Sequence, residues 1–66
     1  MKATVNGQER AVVKGTTLAG LLRELGLAPE SVAVAVNHAV IPRGTFERHA
    51  LTDGDAVEII RAVAGG

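Results

Sequence analysis

The sequence predicts an α+β fold in which one main helix covers a mixed sheet of four to five strands. Three observations predict it. Two β-prone runs flank Asn6-Gly7, a pair suited to a tight hairpin turn. Leu18, Leu21, Leu22 and Leu25 recur at helical spacing, and Val32, Val34 and Val36 alternate with alanines at the spacing of a strand. With 66 residues the chain is expected to form one domain, at a size where a single core supplies only about 3–5 kcal/mol unless cross-links or metals assist. It contains no cysteine, which excludes disulfides and disfavours a structural zinc site. Stability therefore falls on the apolar 47% of the residues.

The elements follow in order. Residues 3–13 read as a β-hairpin turning at Asn6-Gly7, whose positive φ angles suit a type I′ turn. Gly15 breaks the second strand, and Thr16 or Thr17 caps the helix by accepting a bond from a free amide. The leucine stripe faces the core while Arg23 and Glu24 point away, and Gly26 ends the helix in the left-handed cap position. Gly20 sits mid-helix at a cost of roughly 1 kcal/mol relative to alanine. After a connector over 27–31, the valines of 32–36 point inward from a half-buried strand. Asn37-His38 turns the chain into a short strand over 39–41, which Pro42 stops because it cannot donate to a ladder. Residues 44–50 hold one helical turn with Phe46, the only aromatic residue, tucked under it. Asp53-Gly54-Asp55 is a turn, and residues 56–63 form the last strand with Val57 and Ile59 on the core face. A chain that opens with a hairpin, crosses with a helix and closes with a strand can set its first and last strands side by side and parallel. This is the ubiquitin-like β-grasp arrangement.

Charge excludes several partners. Seven basic and seven acidic residues cancel and are scattered, without the basic stripe and stacking aromatics of a nucleic-acid reader. No apolar run approaches the length needed to span a bilayer, and the N-terminus reads straight into a strand without a signal-peptide apolar region. The protein is expected to be cytoplasmic, with no nucleic-acid or membrane partner. So small a body encloses no deep cleft, and an independent enzyme is not expected.

The last residues, Arg61-Ala62-Val63-Ala64-Gly65-Gly66, run from a strand into two glycines. Residues 62–66 are expected to form a flexible, extended tail. Glycine leaves no side chain to obstruct a narrow channel, and six extended residues reach ~20 Å, enough to carry a carboxylate into a partner's active site.

Val34-Ala35-Val36-Asn37, Val40-Ile41-Pro42-Arg43, Leu51-Thr52-Asp53-Gly54-Asp55 leading into Val57-Glu58-Ile59-Ile60, and the terminal Ala64-Gly65-Gly66 carry a resemblance over essentially the whole length. In this order and spacing the chain resembles the ThiS family, the small sulfur carriers of thiamine biosynthesis. One departure is Ala19-Gly20 after Thr17, where family members often place an acidic residue that completes a capping box. The resemblance implies that an E1-like adenylyltransferase uses ATP to adenylate Gly66 and that a persulfide sulfur donor converts the acyl-adenylate to a thiocarboxylate. Thiazole synthase would then receive the sulfur. The carrier would bind no cofactor of its own, and Gly65, with Ala64 and Val63 before it, would keep the approach unhindered. A body without cysteine fits, since no thiol of its own competes for the activated acyl group.

Strand alternation that turns Val57 and Ile59 inward turns Ile60 outward. With Ala33 and Ala35 it forms a flat apolar surface beside the tail, a docking site for partners, to which Arg61 could add a charge. Arg43 and Arg61 are otherwise expected to be solvated. His38 and His49 have no metal-ligand spacing, Asp53-Gly54-Asp55 lacks the later ligands of a calcium loop, and Gly15-Thr16-Thr17 lacks the lysine of a phosphate loop. Two alternatives share the fold. The small subunit of molybdopterin synthase uses the same Gly-Gly chemistry but tends to carry prolines before the glycines, where Arg61-Ala62-Val63-Ala64 has none. A ubiquitin-like protein modifier or interaction module would instead form an isopeptide with a lysine.

Overall fold

Five strands and one helix make up the computed structural model, which describes residues 1–61. Strands β1 (Lys2–Val5) and β2 (Gln8–Ala11) form the hairpin, α1 (Leu18–Glu24) crosses the sheet, and β3 (Val32–Val36), β4 (Ala39–Val40) and β5 (Ala56–Arg61) complete it. The order across the sheet is β2-β1-β5-β3-β4. β1 and β5 pair in parallel, Thr4 opposite Ala56 and Val5 opposite Val57, and every other pairing is antiparallel. The mixed sheet under one helix is the β-grasp fold. Residues 62 and 63 of the expected last strand, and all of the tail expected over 62–66, lie outside the described residues.

Helix α1 starts at Thr17 rather than Thr16: the Thr17 hydroxyl accepts from the Gly20 amide at 3.1 Å. Its first two amides are also satisfied, Leu18 donating to the His49 carbonyl and Ala19 to the Phe46 carbonyl, each at 3.0 Å. Segment 46–50 thus serves as the cradle for the helix N-terminus, where a short helix otherwise leaves its amides orphaned. The other end closes with the Leu27 amide on the Leu22 carbonyl and the Gly26 amide on the Arg23 carbonyl. Gly26 has φ +73°, as this capping motif requires. A Cβ at Gly20 would lie 3.5 Å from Thr16 and Thr17, an ordinary contact, so packing does not demand the glycine.

Leu18, Leu21 and Leu22 are buried against Ala3, Val32, Val34, Val36 and Val57, with Phe46 and Leu51 closing the side of the core. Leu25 and Ile59 are partly buried at its edge. The short strand ends at Val40, one residue earlier than expected, although the Ile41 amide still reaches the Val34 carbonyl at 2.9 Å. Arg43 is exposed, as expected, but its guanidinium is not simply solvated. Its guanidinium donates to the Pro29 carbonyl at 3.0 Å, with longer contacts to the carbonyls of Glu30 and Val32, tying the 3₁₀ turn Arg43–Thr45 to the turn Pro29–Ser31. It is a staple between two loops, giving the Pro29 carbonyl, which already accepts from the Val32 amide, a second donor on its other lone pair.

Asp55 is the one buried charged residue among those described. Its carboxylate accepts from the Thr52 amide and hydroxyl at 2.9 Å and from the Asn37 side-chain amide at 3.0 Å. Burial alone raises its pKa, but these bonds, with the charge of His49, outweigh that and hold it below the ordinary value. A group whose folded-state pKa is depressed stabilises the fold fully above its unfolded-state value, ~3.9, and loses that contribution as pH falls through the folded-state value. Urea titrations are therefore expected to show stability declining as pH drops below about 4, and Asp55→Asn is expected to reduce this slope while costing about 1–3 kcal/mol at pH 7. An unchanged acid slope in the variant would show that Asp55 does not couple folding to pH.

Candidate functional site

The sheet face away from α1 is the candidate site. Strand alternation turns Val57 and Ile59 toward the core and Glu58 and Ile60 outward. In the β3–β5 ladder Ala33 stands opposite Ile60 and Ala35 opposite Glu58, and on the other side Ala35 stands opposite Val40. Ile60, Ala33, Ala35 and Val40 therefore share one face. Ile60 is 68% and Val40 78% exposed, so this face carries two of the large apolar side chains left uncovered. Glu58, on the same face opposite Ala35, meets the ring of His38 in the β3–β4 turn at 3.5 Å, and Lys2 meets Glu9 at 3.4 Å on β1 and β2, so polar groups flank the apolar strip as they do at interfaces.

The structure brings together three of the four residues expected to bind partners. Arg61 stands opposite Val32, which places it on the other face from Ile60. Val40 was not expected, and the pairing of β4 with β3 is what brings it in. Residues 63–66, the expected tail residues and sulfur-bearing glycine, lie outside the described residues.

β5, the strand that leads toward the tail, is gripped by an asparagine on each side. At its start the Asn37 side chain accepts from the Ala56 amide at 3.0 Å while donating to Asp55. Nearer its end the Asn6 side chain accepts from the Ile59 amide at 2.8 Å and donates to the Ile59 carbonyl at 3.2 Å. Both asparagines open hairpin turns with positive φ, +51° at Asn6 and +52° at Asn37, a conformation that asparagine tolerates better than most residues. Sequence reasoning found the two turns; it did not find the grips.

A second concavity, about 630 Å³, lies between α1 and the 43–48 segment over Ala19 and Phe46. Its rim mixes Arg23, Arg43 and Arg48 with Glu30 and Glu47. Three arginines against two glutamates leave this rim with a single excess positive charge, and Arg43 turns Nε and Nη2 to backbone carbonyls, so the cleft shows no focused set of groups for a ligand.

Comparison with known proteins places this geometry. The model of the ThiS family matches residues 3–66. The chain is 30% identical to the sulfur carrier protein ThiS of Escherichia coli, with both chains covered completely. It is 46% identical to a thiazole synthase of Magnetococcus marinus and 38% identical to one of Paramagnetospirillum magneticum, but spans only 20% of the length of each. The crystal structure of the thiamine biosynthesis protein ThiS from Geobacter metallireducens superimposes with a TM-score of 0.85 at 36% identity, over the full length of both chains.

Proposed function

The chain belongs to the ThiS family of sulfur carriers in thiamine biosynthesis, and from that premise we propose that the carboxylate of Gly66 is the group that bears the sulfur. A carboxylate with a pKa of ~3.5 is an anion at neutral pH and a poor acyl donor. An E1-like adenylyltransferase activates it: a carboxylate oxygen attacks the α-phosphate of ATP, pyrophosphate leaves, and Gly66 becomes an acyl-adenylate. The terminal sulfur of a persulfide donor then attacks the carbonyl carbon and expels AMP. Exchange with a second thiol cleaves the resulting acyl disulfide and frees the thiocarboxylate. Thiazole synthase receives that sulfur. The carrier is a co-substrate of these enzymes and contributes no catalytic group.

The observation that supports this reading is the outward strip of Ala33, Ala35, Val40 and Ile60 on β3, β4 and β5, beside the strand whose sequence continues to Gly65-Gly66. The body docks through the strip, and residues 62–66 reach the active site. Arg61, on the opposite face, lies beside the docked surface rather than within it.

Intact-mass measurement after incubation with ATP, the E1-like enzyme and a persulfide source tests the reading. Exchange of one oxygen for one sulfur on the chain is the expected result, and an isopeptide to a lysine would instead identify a modifier. Ile60→Asp is expected to leave the thermal melt nearly unchanged, because its side chain is exposed, and to weaken binding to both enzymes by about 10-fold or more, the scale of a central interface residue. Unaltered binding would remove the strip from the interface.

A further inference from the structure

We propose that Asn6 is a positioning residue: its carboxamide sets the direction in which β5 delivers the residues that follow it, and so Gly66, to the adenylating enzyme. The inference rests on the role of Gly66 given above and extends it. β1 ends where the Asn6 backbone turns to φ +51°. The last backbone bond on that side runs from the Asn6 amide to the Val57 carbonyl at 2.9 Å. In a parallel ladder that continued, the Ile59 amide would next donate to the Asn6 carbonyl. The Asn6 side-chain oxygen takes that place, 2.8 Å from the Ile59 nitrogen, and its amide donates to the Ile59 carbonyl at 3.2 Å. A single side chain thus supplies both bonds of a strand residue that the turning chain no longer provides.

The turn does not account for these bonds. A type I′ turn requires only positive φ at Asn6 and Gly7, which glycine adopts with less strain than asparagine. The two contacts with Ile59, 53 positions away, serve β5 instead. Beyond Val57 the backbone of β5 is paired by β3 alone, through to Val32 opposite Arg61. Asn6 is the tether on the other side among the described residues. Ile59 lies two residues before Arg61, where the described part of β5 ends, so the grip fixes the strand close to the residues that lead to Gly66, and displacements of about 1 Å from reactive geometry can cost a hundredfold in rate.

Asn6→Gly keeps the conformation that the turn needs and removes the carboxamide. With the E1-like enzyme and ATP, pyrophosphate release is expected to show kcat lowered about tenfold or more while KM for the carrier stays within about twofold, because docking belongs to the strip around Ile60. The Ile59 amide is expected to exchange with deuterium faster in the variant. Asn6→Asp retains an oxygen for the Ile59 amide but sets a second one against the Ile59 carbonyl, and is expected to lie between the two in kcat. It also serves if the glycine variant folds poorly. Unchanged kcat in both variants, or a rise in KM that accounts for the whole loss, overturns the proposal. So does unchanged exchange at Ile59, which is read on the carrier alone and decides the grip even if the unmodified chain is not adenylated, an outcome that would count against the role of Gly66.

Discussion

A chain extended by one alanine after Gly66 is expected to lose thiocarboxylate formation while keeping its thermal melt and its affinity for the adenylating enzyme. The fold is set by the packing of α1 on the sheet, and the docking proposed above belongs to the face around Ile60; the added residue is part of neither. The reacting carboxylate, however, moves by one residue, ~3.5 Å along an extended chain. In-line attack on the α-phosphate tolerates far less, since about 1 Å can already cost a hundredfold. Deleting Gly66 fails for the opposite reason and leaves the carboxylate on Gly65, one residue short. Intact mass after incubation with ATP and a persulfide source reads both variants directly. A rate of sulfur incorporation close to that of the unmodified chain in either one would mean that the position of Gly66 does not define the chemistry, and the assignment of the sulfur to its carboxylate would fall.

That prediction separates what the body contributes from what the terminal residues contribute, and the two differ in how far they could be read from sequence. The hairpin at Asn6-Gly7, the leucine stripe of α1 and the valine alternation of β3 are local patterns, each fixed by the period of its own element. The parallel contact of β1 with β5 followed from the order of elements. In segment 44–50 the turn and the buried Phe46 could be read, although the 3₁₀ turn falls at Arg43–Thr45, but its service to the amides of Leu18 and Ala19 could not, because that role is met elsewhere in the chain. Arg43 looked like a surface charge, since nothing local reveals that the Pro29–Ser31 turn would offer it carbonyls. The same holds for the docking face. Outward-facing Ile60 followed from alternation, but Val40 joins it only through the pairing of β4 with β3. Arg61, adjacent in sequence to Ile60, turns to the other face by the same period of two. Asn6 and Asn37 earned their place in the reading as turn formers, and their bonds to Ile59 and Ala56 depend on a sheet that exists only once the chain has folded.

The body itself depends on very few side chains, and Leu22→Ala is expected to be among the most damaging truncations of them. Leu22 is fully buried, 0% exposed, on the only α-helix among the described residues. Its carbonyl also accepts the Leu27 amide that closes the helix, so the side chain packs at the point where α1 must end. Removing the buried branch costs the transfer energy of the lost atoms and leaves a cavity that a short helix pinned at both ends closes poorly, together ~2–5 kcal/mol. A single core of this size supplies about 3–5 kcal/mol, so the variant is expected to lose from about half to all of the chain's stability. Leu25→Ala, at a position only partly buried, is expected to cost about half as much or less, because less area leaves water on folding. Urea unfolding followed by circular dichroism compares the two. A loss below half a kcal/mol for Leu22→Ala would mean that the leucine stripe does not hold the helix to the sheet, whereas the expected loss would identify this contact as the one that keeps the docking face and the strand leading to Gly66 in a fixed frame.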